Sequence, residues 1–246
     1  MMTPDELDYE LMSAADPAYK VFGDKLQPGI TDRLGVRMPK VRALAKEILK
    51  ENPQGFLDEI FKRDHPFASQ EALMVATIVA GGLKRVPDDI YWQNIDRLFP
   101  YMTGWATCDL MGSAVKRIAR DPAGYLAYLE TKLASKNPWT VRVALVWLLT
   151  FYRKPTTLPM ALSALDRASA RALSMAASGD YYLSMALAWC LSMLATVEPE
   201  PVYQQMDAWR KAGRLDVETC RRTVRKIRES LQFTQEAKAA VSQRFA

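Results

Sequence analysis

Residues 38–53 read "MPKVRALAKEILKENP", and the spacing inside this stretch decides the fold. Val41, Leu44, Ala45, Ile48 and Leu49 recur at steps that line one face of a 3.6-residue helix and neither face of a strand. Pro39 stands near the start, where a missing N–H is tolerated, and Pro53 lies beyond the end, where it blocks continuation. The stretch is an amphipathic helix bounded by its own sequence.

Outward from it, comparable helical segments are expected around 55–62, 68–82, 88–98, 105–119, 122–134, 138–152, 158–176, 180–195, 199–211 and 216–230. Short breaks rich in Pro, Gly, Asp or Asn separate them: "KRDHP", "KRVPDD", "ARDPAG", "SKNP" and "AASGD". No run of strict alternation is long enough to compete as a strand, so the expected class is all-α. Short helices with brief connections suit either a globular bundle or a stack of helical hairpins. Two features favour the stack, an α-solenoid of HEAT-like repeats wound into a curved superhelix. The breaks recur in pairs roughly every thirty to forty residues. The longer helices also carry polar and aromatic residues on a face that their apolar stripe leaves open, as on the concave side of a solenoid. No linker or composition shift divides the chain, and residues 1–246 read as one domain.

The 246 residues are 49% hydrophobic, enough for a substantial core. Three widely separated cysteines (Cys108, Cys190, Cys220) and one histidine provide neither a disulfide framework nor zinc-site spacing, so a reducing compartment and no metal are expected. The acidic amino terminus and the lack of a long apolar run point to the cytoplasm, away from membranes. The net charge is +5, and the residues from Asp207 to Ala246 hold ten Lys or Arg against five Asp or Glu, a surplus as large as that of the whole chain. Within them, "CRRTVRKIRES" crowds Arg221, Arg222, Arg225, Lys226 and Arg228 into two helical turns, either a solvated face or a polyanion surface.

Chemistry is suggested by three helices. "GWATCDLMGSAVKRIA" at 104–119 puts Trp105 and Asp109 one turn apart on one face. "NPWTVRVALVWLLTFY" at 137–152 puts Trp139 and Arg142 together, and "SGDYYLSMALAWCLSML" at 178–194 aligns Tyr182, Met185 and Trp189, with Tyr181 beside them. Each tryptophan alone is an ordinary packing residue. Together, ring faces and a carboxylate attract a cation, while an arginine fork suits a phosphate. A nucleobase alkylated at a ring nitrogen, inside DNA, has both properties.

"GWATCD", "PWTVRVALVWLLTFY", "SGDYYLSMALAWCL", "CRRTVRKIRESL" and "GVRMPKVRALAKEI" (35–48) resemble segments of the AlkD-type DNA alkylation repair family, over about residues 20–235. The resemblance implies a HEAT-like solenoid whose concave basic face wraps duplex DNA, and a glycosylase releasing cationic N3- or N7-alkylated purines without a cofactor. By motif position it implies Trp105 and Trp189 as aromatic walls, Asp109 as the catalytic carboxylate and Arg142 as a grip on the DNA backbone. Trp139 and Tyr182 join the DNA-binding set, with Arg117, Arg153, Arg221, Arg222 and Arg225 meeting phosphates. The expected partner is double-stranded DNA carrying alkylated bases, bound by a nucleoid-associated monomer.

The chemistry is consistent with so few residues. A cationic purine leaves without protonation, so one carboxylate suffices to stabilise an oxocarbenium-like sugar and orient water. Past Trp189 the chain reads "AWCLSML", where active relatives tend to carry a basic residue. A catalytically silent DNA-binding solenoid and a protein-interaction scaffold are therefore alternatives. Among the remaining residues, His65 reads as a surface loop residue, Trp147 as core, Trp92 and Trp209 as inter-repeat packers and Ser178 as a helix cap.

Overall fold

In the computed structural model, residues 2–177 and 180–246 are described, with side chains for 2–167 and 180–246. Among them there are α-helices, two short 3-10 turns and no strand. Ser178 lies outside the described residues.

The chain falls into two units, Met1–Arg117 and Ile118–Ala246. The first holds α1 (Pro4–Ser13), α2 (Pro17–Leu26), α3 (Met38–Lys50), α4 (Pro53–Ile60), α5 (Gln70–Gly82), α6 (Asp88–Leu98) and α7 (Trp105–Ala114). The second holds α8 (Leu126–Leu133), α9 (Pro138–Phe151), α10 (Leu158–Ala177), α11 (Tyr181–Leu194), α12 (Pro199–Lys211), α13 (Val217–Glu229) and α14 (Gln235–Arg244).

Most helices announce their starts chemically. Thr3 and Glu6 form a reciprocal capping box at α1, and Asp16, Asn52, Ser69, Asn137, Asp180, Asp216 and Thr234 each accept a backbone N–H of the helix they precede. Proline occupies the first turn of α1, α2, α3, α4, α9 and α12, where its missing N–H would be unsatisfied anyway.

Within each unit, alternate helices are neighbours. In the first, α5 packs between α3 and α7, with α4 and α6 against it. In the second, α11 packs between α9 and α13, while α8 pairs with both α9 and α10. Contact between every second helix is the mark of stacked helical hairpins, so the repeat stack, not the globular bundle, is the arrangement found. It also explains the apolar sequences of α5, α9 and α11. A helix covered on several sides needs no polar face, and nearly every residue of α9 from Thr140 to Leu149 is buried.

Five segments differ from expectation. The helix expected over 105–119 ends at Ala114 and continues as a 3-10 turn, Lys116–Arg120. Val115 leaves helical geometry at ψ 73°, and Arg117 packs against α6, ion-paired with Asp88 and stacked 4.0 Å from the Tyr91 ring. The segment expected from 122 begins its helix only at Leu126, because the Asp121 side chain first closes a turn onto the Gly124 N–H at 2.9 Å. Helices α1, α2 and α14 stand where none was expected.

Trp147 and Trp209 behave as the packers expected, whereas the ring contact of Trp92 is with its neighbour on the same helix. Trp147 is fully buried beside Tyr128. Trp209 of α12 donates its indole N–H to Asp166 of α10 at 2.8 Å, and Trp92 packs edge-on against Tyr91.

Candidate functional site

The face shared by Trp105 and Asp109 opens onto a cavity of about 350 Å³ in the first unit. Trp105 is the first residue of α7, and its indole N–H donates to the Leu26 carbonyl at the end of α2 at 3.1 Å. That bond fixes the plane of the ring. Asp109 follows one turn later, half-buried like Trp105, on the same cavity wall. Tyr19 and Phe22 of α2 line the cavity too, their rings stacked at 6.3 Å. Arg33 from the loop after α2 and Arg42 from α3 add positive charge to its lining.

Polar residues that the sequence reading passed over hold this site together. Gln70 and Glu71 open the otherwise apolar α5, and both are buried. The Glu71 carboxylate accepts three successive backbone N–H groups, from Leu34 at 3.0 Å, Gly35 at 2.8 Å and Val36 at 3.2 Å. One side chain thereby shapes the loop that presents Arg33. Gly35 makes that loop possible. Its φ is +81°, and a Cβ there would lie 2.4 Å from the Asp16 carbonyl oxygen. Gln27, also buried, accepts the Ala106 N–H of α7 at 3.4 Å and donates to Gln70 at 3.5 Å. The signal available in the sequence was a pair of polar residues, Gln70 and Glu71, directly before "ALMVATIVAGG".

The second unit gathers another part of the expected set. Arg142 is only 7% exposed and donates from Nη1 to the Tyr182 carbonyl at 2.8 Å, tying α9 to the start of α11. The Trp139 ring lies 5.4 Å from that of Tyr182, which in turn meets Tyr181 edge-on at 5.5 Å. Arg222 of α13 stacks 5.0 Å from the Tyr181 ring, donates to Ser184 Oγ at 2.6 Å and pairs with Glu218 at 3.2 Å. Trp189 is half-buried, two turns beyond Tyr182 on α11.

The basic residues divide by exposure. Arg117 and Arg142 are buried and engaged inside their own units, Arg117 also donating to the Val86 carbonyl at 2.7 Å. Arg153, Arg221 and Arg225 are exposed, and Arg153 approaches Met193 Sδ at 3.8 Å.

All three cysteines are buried, and burial pushes the Cys190 thiol well above its ordinary range and raises that of Cys220. His65 sits exposed in the loop after α4. Among the described residues no group of three or more His, Cys, Asp or Glu is placed to hold a metal ion, and no helix is long and apolar enough to cross a membrane.

Comparison with protein families gives a match to the model described as DNA alkylation repair enzyme over residues 8–231, which covers most of each unit. Comparison with curated proteins and with solved structures gives no match.

Proposed function

We propose, for a chain that belongs to the DNA alkylation repair enzyme family, that it is a DNA glycosylase releasing cationic N3- or N7-alkylated purines from duplex DNA. The observation behind this reading is the wall shared by Trp105 and Asp109. A fixed indole face and a half-buried carboxylate sit one turn apart on a cavity large enough for part of a nucleotide. In a dry core that pairing would be costly; around a cationic nucleotide each member has a task.

In this mechanism the alkylated purine arrives with its positive charge and needs no proton to depart. The Trp105 ring holds the charged nucleotide by cation–π contact. As the C1′–N bond lengthens, positive charge moves to the sugar, where the Asp109 carboxylate stabilises it and orients the water that adds to C1′. The base leaves neutral, and the water proton is lost to solvent or to the carboxylate. Trp189, in the second unit, is a further aromatic contact to the DNA. Arg142, Trp139 and Tyr182 position the DNA, with Arg153, Arg221, Arg222 and Arg225 near phosphates. Arg117, ion-paired inside its own unit, would reach a phosphate only by releasing Asp88. The family match over 8–231 supports treating the two units as one functional domain.

The test is release of N7-methylguanine or N3-methyladenine from duplex DNA by the wild type and Asp109→Asn. Asp109→Asn should bind DNA within about twofold of wild type while losing about a hundredfold or more in excision rate, the usual cost of removing a transition-state electrostatic contact. Equal excision by the two proteins removes Asp109 from the mechanism. Tight DNA binding without release by either would favour a second reading, a silent damage-recognising relative. The stretch after Trp189 speaks for that reading, because Cys190 and Ser192 are both buried and no cation follows the tryptophan.

A further inference from the structure

Arg33 differs from four other arginines of its unit, which are ion-paired. Arg37 is paired with Asp16 at 2.9 Å, Arg63 with Asp8 at 2.7 Å, Arg97 with Asp58 at 3.6 Å, and Arg117 with Asp88. The Nε and Nη1 groups of Arg33 are buried and have no hydrogen-bond partner among the described residues. Guanidinium does not lose its charge in a protein, so these are ionic donors withdrawn from water without an acceptor, a costly arrangement. Glu71 lines the same cavity but does not accept from these two groups; its carboxylate takes the loop N–H groups instead.

A second donor in the same cavity is in the same condition. Gln70 is 3% exposed, and its Nε2 likewise lacks a partner among the described residues. Two donor side chains from different elements thus line one space, each with N–H groups that have no hydrogen-bond partner among the described residues.

The backbone makes room for this arrangement. Gly23 lies in the interior of α2, where glycine weakens a helix by about 1 kcal/mol relative to alanine. A Cβ at that position would fall 1.9 Å from Arg33 Nη2 and 2.3 Å from its Cζ. The guanidinium lies in the space that the missing side chain leaves.

We propose that Arg33 and Gln70 form an oxyanion receptor for a DNA phosphodiester beside Asp109, with Arg42 attracting the same strand from the exposed part of the cavity lining. The inference rests on the glycosylase reading and adds a subsite to it. A carboxylate that must lie close to the sugar also repels the phosphates on either side. A half-buried guanidinium in the same cavity offsets that repulsion and offers charged N–H donors to a phosphate oxygen. The ligand it selects is an acceptor-only anion.

The test compares wild type, Arg33→Met and Gly23→Ala on a duplex bearing a tetrahydrofuran abasic analogue, by fluorescence anisotropy across salt concentration, with melting curves taken without DNA. Both variants should fold and melt no lower than wild type, since Arg33→Met removes an unsatisfied buried charge and Gly23→Ala favours the helix. Both should bind about tenfold more weakly, and Arg33→Met should flatten the plot of log K against log salt by about one unit. If Arg33→Met melts lower while affinity and slope stay at wild-type values, Arg33 is a structural residue and the receptor does not exist. Wild-type affinity in Gly23→Ala would overturn it as well, and independently of how Arg33→Met folds. If wild type itself does not bind the duplex, the glycosylase reading fails and takes the receptor with it; binding by wild type with no effect of either variant removes the receptor alone.

Discussion

Trp105 is positioned by a single hydrogen bond to a backbone carbonyl far away in sequence, and that bond separates two roles of the side chain. Replacing it with phenylalanine keeps an aromatic face and removes the donor. Trp105→Phe should cost about 1 kcal/mol of stability for the lost bond. It should also lower the single-turnover excision rate more than the affinity for DNA, because the ring that remains is no longer held in one plane. Equal loss in both would mean that the indole only binds. The Trp105 and Asp109 pair was legible because an i, i+4 spacing states which side chains share a helix face. Gln27, Arg33, Gln70 and Glu71 were not. Their partners lie on other elements, as Glu71 and Gly35 do, and periodicity says nothing about contacts between elements.

At the scale of elements, the loop between α2 and α3 depends on one left-handed residue and one buried carboxylate. Gly35→Ala should destabilise the protein by roughly 1–3 kcal/mol from backbone strain alone, with further loss from collision with Asp16, read as a lower denaturant midpoint. Glu71→Gln should also destabilise it, because a neutral amide cannot accept three N–H groups as a carboxylate does. Which helices were legible follows from the same physics. Apolar stripes revealed α3 and the helices from α4 to α13, apart from the ends of α7 and α8, which are set by the Arg117 and Asp121 side chains. Helices α1 and α2 carry Tyr9, Met12, Val21 and Phe22 on exposed positions, so no single stripe stands out. In α14 only Val241 is buried. The caps at Thr3, Asp16 and Thr234 were readable, and weighting them above periodicity would have found all three.

For the molecule as a whole, the hairpin stack within each unit followed from the spacing of breaks, whereas the division at Arg117 left no mark in composition. The acid response should reflect how the second unit is joined. The Asp166 carboxyl accepts from Trp209 and pairs with Arg214, which hold its pKa below the ordinary 3.8. Such a group stabilises the fold fully above 3.8, and the benefit disappears as pH falls through the lowered folded value. Asp166→Asn should therefore melt below wild type at pH 7, with the gap closing below pH 4. A gap that stays constant with pH would show that the indole bond alone matters. The three buried thiols predict a further property of the intact fold. A thiol reagent should label the native protein slowly and all three positions at once on unfolding, and fast labelling of one cysteine would mark local opening of its helix.

The arrangement around α5 has a metrical consequence. Its first turn holds the Arg33 loop through Glu71, and near its last turn Gly81 is so close to α7 that a Cβ there would meet the Ala114 carbonyl oxygen at 2.6 Å. The helix is thus a gauge block between the loop bearing the guanidinium and the helix bearing the carboxylate. One inserted residue within it would shift one end against the other by about 1.5 Å and about 100°. Every side chain of the cavity would still be encoded, yet the loop and the α7 wall would be out of phase, and substrate turnover would be lost without the loss of a single functional group.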